Sequence, residues 1–322
     1  MTTGMVLGKF LPPHAGHVYL CEFARNWVDN LSIVVGTLAA EPIPGSLRHR
    51  WMRELFPFDE VIHLTDELPQ DPSEHPDFWN LWQESLRRVL PYPPDIVFAS
   101  EPYGQPLAEI LGARFVPVDL PRATVPVSGT AIRADPMGHW DYLPRCVRPH
   151  YVKRVSIFGP ESTGKTTLAR TLADTFETVW APEWARTVLE RRAGSLDGVD
   201  WTEFVHGQIA TEEALARTAN RLMFCDTDPL LTTVWADELL GECPPELFSA
   251  IGTRTYDLTL LTEPDVPWVA NPVRYLPEGG ARFAARCRAA VTAAGRSTVV
   301  LSGDWDTRLT TAVEAVEQLL EQ

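Results

Sequence analysis

A glycine-rich stretch near the middle of the chain, residues 159–166, limits what the chain can fold into. It lies between a short apolar run and a segment whose composition favours a helix. Gly159 and Gly164 allow the backbone to curl until successive N–H groups point at one phosphate. The helix adds the positive end of its dipole, Lys165 can reach the β- and γ-phosphates, and the Thr166 hydroxyl can bind Mg²⁺. The stretch therefore predicts a strand, a phosphate-binding loop and a helix, in that order.

This loop supplies one set of candidate nucleotide-binding residues, with ATP as the expected phosphate donor and Lys165 as a catalytic cation. The set consists of Gly159, Glu161, Ser162, Thr163, Gly164, Lys165, Thr166 and Thr167.

A second pattern lies near the start of the chain, where Gly8-x-Phe10 is followed by His14-x-Gly16-His17. The two histidines are three residues apart, so they share one face if a helix begins here. Histidines at a helix N-terminus add donors to the exposed backbone N–H groups, which suits the α-phosphate of a nucleotide. Gly16 allows that phosphate to approach the backbone closely. The pattern predicts a second phosphate site.

The order of the segments favours an α/β fold. Residues 18–30 predict an amphipathic helix and residues 31–38 a buried strand, and strands and helices continue to alternate afterwards. Such alternation is typical of open parallel sheets whose ligands gather at the carboxyl ends of the strands. A length of 322 residues suggests two domains, and the pattern loosens near Pro144 and Pro149. We therefore predict domains at 1–148 and 149–322.

Charge and cysteine content narrow the class of protein. A net charge of −15 disfavours nucleic acid as a partner, so any phosphate site must be a local patch of donors. The five cysteines are widely spaced, which argues against zinc sites and disulfides and favours a reducing, cytoplasmic setting. No apolar stretch is long enough for membrane insertion. The sequence leaves open whether the protein forms a homo-oligomer.

The pattern at residues 8–17 resembles the GxFxPxHxGH signature of nucleotidyltransferases that adenylate or cytidylate small phosphates. Residues 127–133 are similar to that superfamily's second signature, ISSTxxR, with Gly129 in place of the second serine. The resemblance implies that His14 and His17 stabilise the pentavalent α-phosphate. It also implies nucleotide contacts by further residues of both signatures. These residues are Gly8, Lys9, Phe10, Ser128, Thr130 and Arg133.

A nucleotidyltransferase followed by a phosphate-loop kinase resembles the NadR family. Local runs at residues 48–54, 100–102, 182–186 and 226–233 are similar to it as well, so the resemblance covers nearly the whole chain. It implies two Rossmann-like parallel-sheet domains, a nucleotidyltransferase fold and then a P-loop kinase fold. It also implies nicotinamide mononucleotide (NMN) adenylyltransferase in the first domain and ribosylnicotinamide kinase in the second. The substrates would be nicotinamide riboside, NMN and ATP, the product NAD, and the cofactor Mg²⁺. Some members begin with a DNA-binding repressor module. Because a strand already begins at Met5, we do not expect one here.

Two acids end an apolar strand of the second half, Asp226 and Asp228. In that place one acid can hold Mg²⁺ together with Thr166, and the other can accept the proton of a sugar hydroxyl. Asp228 precedes Pro229, so a helix N-cap is the alternative for it. We count both acids as catalytic candidates.

Three further residues are candidates for binding the acceptor. Glu183 and Arg186 follow the neighbouring strand, where they can bind the nucleoside. Arg274 lies in residues 263–280, which are rich in proline, glycine and tryptophan and are predicted to form a flap over the transferred phosphate.

Two alternatives remain open on the sequence alone. One is another adenylyl- or cytidylyltransferase fused to a different small-molecule kinase. The other is a sensor that binds nucleotide without turnover.

Overall fold

A computed structural model describes residues 1–270, 274–276 and 280–321. The chain divides into two compact units, Met1–Val147 and Arg148–Gln322. The division falls one residue before the boundary that we placed between 148 and 149.

The N-terminal unit contains a five-stranded parallel sheet in the order β3-β2-β1-β4-β5. Its strands are β1 (Thr3–Gly8), β2 (Asn30–Gly36), β3 (Glu60–Leu64), β4 (Ile96–Ala99) and β5 (Arg114–Pro117). Its helices are α1 (Ala15–Arg25), α2 (Gly45–Leu55), α3 (Phe78–Val89), α4 (Gly104–Leu111) and α5 (Gly129–Ala134), with one 3₁₀ turn at Trp140–Tyr142. Apolar side chains of β1 and β2 are fully buried between the helical layers, as expected for strands of a sheet covered on both faces.

The C-terminal unit contains a second five-stranded parallel sheet, in the order β10-β9-β6-β8-β7. Its strands are β6 (Lys153–Phe158), β7 (Val179–Ala181), β8 (Leu222–Asp226), β9 (Leu258–Thr262) and β10 (Thr298–Leu301). Its helices are α6 (Arg148–Tyr151), α7 (Lys165–Thr175), α8 (Trp184–Arg191), α9 (Trp201–Ala216), α10 (Pro229–Leu240), α11 (Pro245–Ile251), α12 (Gly280–Ala293) and α13 (Trp305–Leu320).

Both predicted phosphate motifs leave the carboxyl end of a central strand. The histidine pattern follows β1, which lies between β2 and β4, and the glycine loop follows β6, which lies between β8 and β9. In open parallel sheets the crevice for a ligand forms at the carboxyl ends, at the point where the strand order reverses. The strand order therefore gives each unit one crevice, with a motif at its floor.

Several element boundaries differ from the prediction. Helix α1 covers Ala15–Arg25 rather than residues 18–30, because His14 caps its first turn and the backbone N–H groups of Asp29 and Asn30 already bond to Thr2. Helix α11 was not predicted. It has seven residues and begins at a proline, so it carries little periodic signal.

The predicted flap, residues 263–280, lies partly outside the described residues. Residues 263–270 and 274–276 contain neither helix nor strand, and Gly280 begins α12. None of the helices in the described part of the chain has both the length and the apolar composition needed to cross a membrane.

Candidate functional sites

The N-terminal unit has a cavity of about 550 Å³ at the carboxyl end of its sheet. That volume is within the usual range for a small-molecule pocket, about 300–1,000 Å³. All eight residues predicted from the two signatures line it: Gly8, Lys9, Phe10, His14, His17, Ser128, Thr130 and Arg133. The structure therefore brings the two signatures, more than 100 residues apart in sequence, around one space.

The hydrogen bonds of His14 fix which ring nitrogen carries the proton. Its Nδ1 accepts from the backbone N–H of Gly16 at 3.1 Å, which caps α1. In a neutral imidazole one nitrogen accepts and the other donates, so the proton lies on Nε2. His14 and His17 are also close neighbours, with ring centroids 3.7 Å apart. His14 thus has its Nε2–H left to donate.

Both histidines are held in the neutral form. Burial lowers the pKa of His14 to about 4, with a further contribution from the positive charge of Arg122. Burial also lowers the pKa of His17 well below its ordinary value, and His14 and Arg122 add to the effect. At neutral pH the two rings therefore offer hydrogen-bond donors rather than two imidazolium charges.

Helix α5 begins at the second signature. The Ser128 side chain accepts from Ala131 N at 3.1 Å and caps the helix, and Arg133 donates to the Leu11 carbonyl and to Thr130 Oγ1. Gly129 allows this approach, because a Cβ at that position would lie 2.7 Å from the Leu11 oxygen. The glycine that replaces the second serine of the signature is thus required by the packing of α5 on the first motif.

Lys9 is positioned by a buried arginine. Arg48 is fully buried and donates to the carbonyls of Lys9 and Ile43 and to the carboxylate of Glu41. The Lys9 ammonium forms an ion pair with Glu41 at 3.2 Å and remains half exposed. Arg48 thus acts on the site through the backbone of Lys9.

Sequence reasoning missed other residues of this cavity. Trp79 and Trp82 give it an apolar wall, and Arg122 adds a cation. Neither the two tryptophans nor Arg122 belongs to a motif. Apart from the residue types themselves, no sequence signal marked them.

The glycine loop of the C-terminal unit has the backbone that its sequence predicts. Gly159 has φ of 140° and Gly164 has φ of 86°, and Ser162 between them is also left-handed at 64°. A Cβ on Gly159 would lie 2.4 Å from Thr262 Oγ1 and 2.7 Å from Thr262 O, so the loop can leave β6 beside β9 only with glycine there. Helix α7 then begins at Lys165.

Lys165 and Thr166 begin α7 and contact the loop and the end of β8. Lys165 Nζ donates to the Pro160 carbonyl at 2.7 Å, across the mouth of its own loop. The Thr166 hydroxyl donates to Asp226 Oδ2 at 2.6 Å. Asp226 is buried, and its Oδ1 has no hydrogen-bond partner among the described residues. A hydroxyl beside a free carboxylate oxygen matches the oxygen ligands that Mg²⁺ prefers, with water and phosphate completing its shell.

Asp228, which we predicted to be catalytic, has other partners for its carboxylate in the structure. Its Oδ1 caps α10 by accepting from Leu230 N at 2.7 Å, and Ser156 and Arg296 donate to the same carboxylate. Only 1% of the residue is exposed, and it does not line the neighbouring cavity. The helix-cap alternative therefore describes this residue.

Glu183 lies in this neighbouring cavity. It lines a cavity of about 80 Å³ together with Lys165, Arg186 and Arg274, and it forms an ion pair with Arg186 at 3.3 Å. Burial raises the pKa of Glu183, and the charge of Asp226 raises it further, whereas Lys165 and Arg186 oppose the shift. A carboxylate with a raised pKa in a cleft is a candidate general base.

Gln208, which sequence reasoning also missed, fixes the start of α8. Its Oε1 accepts from Trp184 N at 3.0 Å, and its Nε2 donates to buried Glu212 at 3.2 Å. Glu212 is in turn bonded to Arg254 and Tyr256. The network orders the turn that carries Glu183.

The side chains of the glycine loop bind the described part of the predicted flap. Glu161 accepts from Tyr275 N at 3.0 Å and Leu276 N at 2.7 Å. Ser162 Oγ accepts from Val269 N at 2.7 Å and from Arg274 at 3.2 Å. These side chains therefore hold Arg274 beside the loop, while Thr167 lies exposed on α7.

Comparisons with known proteins identify the family. A family model described as an AAA domain matches residues 154–308. The trifunctional NAD biosynthesis/regulator protein NadR of Escherichia coli (strain K12) is 31% identical over 299 residues, which cover 85% of this chain and 72% of the relative. The chain belongs to the NadR family. The NadR protein of Salmonella typhimurium is likewise 31% identical, over 296 residues that cover 85% of this chain and 72% of its own.

Solved NadR structures share the fold. One, a NadR protein in complex with NR, has a TM-score of 0.83 at 24% identity and covers 99% of this chain and 96% of that one. Another, in complex with NAD and AMP-PNP, has a TM-score of 0.80 at 24% identity, covering 100% of this chain and 96% of that one. The predicted class, α/β with two Rossmann-like parallel-sheet domains, is confirmed.

Gly129 gives a first prediction. Gly129→Ser restores the serine of the signature, yet its Cβ would displace the Leu11 backbone, and a shift of 1 Å near a reacting group can cost about a hundredfold in rate. We expect kcat of the adenylyl transfer that the resemblance implies for the N-terminal unit to fall by about tenfold or more, and the implied kinase reaction to be unchanged. Gly112→Asn, where no atom of the described chain lies within 4 Å of an added Cβ, is the control. An unaltered kcat for Gly129→Ser would contradict the expectation.

The pKa of His14 gives a second prediction. As pH falls from the unfolded value of about 6.5 towards about 4, the unfolded chain binds a proton that folded His14 does not. The free energy of unfolding must therefore decrease over that range. His14→Asn keeps a good helix cap but removes this titration. Urea unfolding at about pH 7.5 and about pH 5 should show a larger loss for the wild type than for the variant, and equal losses would exclude the shift.

Proposed function

We propose that this protein makes NAD in two steps, each in its own unit. The C-terminal unit would phosphorylate nicotinamide riboside with ATP to give NMN. The N-terminal unit would join NMN to the AMP part of a second ATP, giving NAD and pyrophosphate. The observation that carries the proposal is a pair of predicted phosphate-binding motifs, each at the carboxyl end of the central strand of its own parallel sheet. The ligands NR, NAD and AMP-PNP in the related NadR structures support it.

In the adenylyl transfer, a phosphate oxygen of NMN attacks the α-phosphorus of ATP. One P–O bond forms, and the bond to the β-phosphate oxygen breaks as pyrophosphate leaves. His14, with its proton on Nε2, and His17 donate to the α-phosphate oxygens, where negative charge accumulates. Arg133 and the N-terminus of α5 receive the β- and γ-phosphates. Catalysis is then positioning plus charge stabilisation, without a covalent enzyme intermediate.

In the kinase step, the backbone N–H groups of residues 160–166 and the N-terminus of α7 bind the β- and γ-phosphates. Lys165 exchanges the Pro160 carbonyl for a phosphate oxygen. Thr166 and Asp226 are the residues that would hold Mg²⁺, which when bound neutralises charge on the phosphates. Arg274 is held where it can bind the transferred group.

Glu183 is the residue that we assign to the acceptor hydroxyl. Its raised pKa favours accepting a proton from the sugar hydroxyl as that oxygen attacks the γ-phosphorus. Arg186 pairs with Glu183 and keeps its carboxylate oriented within the cavity. Asp228, by contrast, stabilises the fold.

The two-step function is tested by separate inactivation of the sites. Lys165→Ala should abolish formation of NMN from the riboside, because the β- and γ-phosphates lose their cation, while adenylyl transfer to added NMN continues. His17→Ala should have the opposite effect. Products formed from riboside or NMN with ATP and Mg²⁺ are separated by chromatography. Failure of the wild type to form either NMN or NAD would contradict the proposal, and loss of both reactions in either variant would contradict separate sites.

The roles of the two kinase carboxylates can be separated in the same way. Glu183→Gln should lower kinase kcat by about 10²–10⁴, the usual contribution of a general base, with little change in melting temperature. Asp228→Asn should lower the melting temperature, because it weakens the buried pair with Arg296. At low temperature its kcat should stay within about threefold of the wild-type value. If Asp228→Asn lowered kcat and Glu183→Gln lowered only the melting temperature, Asp228 would be the catalytic carboxylate.

A further inference from the structure

Arg122 lines the N-terminal cavity on a short loop that follows β5. Asp119 folds this loop by accepting from Ala123 N at 2.8 Å and from Thr124 N and Val125 N at 3.1 Å. Asp119 and Arg122 have positive φ, 51° and 53°, although neither is glycine. Residues in such conformations persist only where their surroundings enforce them, and they concentrate at functional sites.

The loop lies against the histidine motif. A Cβ on Gly16 would be 3.9 Å from Val125 Cγ1, which places the end of the loop beside the first turn of α1. The positive charge of Arg122 also contributes to the lowered pKa values of His14 and His17. Arg122 is therefore a cation facing the pair of donors that we assign to the α-phosphate.

Arg122 pairs with Glu101, a partner that a substrate phosphate can replace. Its guanidinium donates to Glu101 Oε1 at 2.9 Å, and the two side chains are 41% and 54% exposed. Exposed ion pairs of this kind contribute little to stability. A phosphate offers the same guanidinium a stronger, bidentate acceptor. Exchanging Glu101 for phosphate is therefore favourable, whereas the buried Arg48 is committed to backbone and Glu41.

We propose that Arg122 is a phosphate-binding residue of the N-terminal site and that Glu101 holds its side chain until a phosphate-bearing substrate enters. This inference rests on the proposed adenylyl transfer, in which two phosphate-bearing substrates meet in the cavity. Lys9, Ser128, Thr130 and Arg133 come from the two signatures, whereas Arg122 comes from the loop after β5, whose end lies beside the first turn of α1. Its guanidinium is available to the α-phosphate or to the attacking phosphate.

Substituting each partner of the Arg122–Glu101 ion pair in turn tests this role of Arg122. Arg122→Gln should impair adenylyl transfer by about ten- to a hundredfold, as expected for the loss of a charge-assisted hydrogen bond. The loss should be seen as a higher KM for NMN or for ATP, or as a lower kcat. Arg122→Lys should restore part of the loss. Glu101→Gln should act in the reverse direction and lower the affected KM, because the arginine no longer has a competing partner. The substrate whose KM responds identifies the phosphate.

Controls separate binding from folding and from overall charge. Kinase activity of the same preparations should be unchanged, and Arg53→Gln removes an exposed charge of the same unit away from the cavity. The pKa values of His14 and His17 should also rise in Arg122→Gln, because the histidines lose a neighbouring positive charge. A structural ion pair would not produce these opposite effects.

Two outcomes would overturn the inference. One is an Arg122→Gln protein with unaltered kcat and KM for both substrates. The other is a Glu101→Gln protein that is impaired like Arg122→Gln, since a structural pair is broken from either side. If the wild type formed no NAD at all, the proposed function would fail. Calorimetric binding of pyrophosphate in the Lys165→Ala background would still show whether Arg122→Gln weakens phosphate binding.

Discussion

In the proposed function, both sites have to hold polyphosphate in a chain whose net charge is −15. Such a protein repels anions at a distance, so the attraction must come from groups that act over a few ångströms. Three helix N-termini would supply it, at α1 and α5 in one unit and at α7 in the other. Helices α1 and α7 face their crevices because each follows the carboxyl end of a strand, β1 and β6 respectively. Helix α5 faces the same crevice as α1 because it packs on the backbone of Leu11. Strand order therefore decides where phosphate can bind.

The same constraint sorts the carboxylates around the sites. Most have committed partners: Glu41 is paired with Arg48, Glu161 accepts two backbone N–H groups, and Asp228 is bonded to Ser156 and Arg296. A carboxylate used in this way adds little repulsion to an incoming phosphate, because its charge is already compensated. Asp226 differs by its free buried oxygen, and Glu183 by its raised pKa. The hydrogen-bond partners, rather than position at a strand end, therefore distinguish the carboxylates available for chemistry from those that stabilise the fold.

Sequence predicted those parts of the molecule whose structure is encoded locally. The left-handed glycines of the kinase loop and the histidine cap of α1 each determine the backbone beside them, so their motifs were found at the correct strand ends. The structural partners of Asp228 could not be predicted, because Ser156 and Arg296 are 72 and 68 residues away. Arg122 and Gln208 were missed for the same reason. Their significance comes from a cavity that only tertiary packing creates.

The neutral histidine pair shows how burial and substrate charge can work together. Two imidazolium rings with centroids 3.7 Å apart would repel each other, and burial also opposes the charged form of each ring. In the proposed reaction, nucleoside triphosphate brings several negative charges into the same cavity, and a nearby negative charge raises a histidine pKa. A bound triphosphate would therefore favour positive charge on the rings, next to the α-phosphate. That charge would then appear together with the substrate, and no unpaired cation would have to be buried.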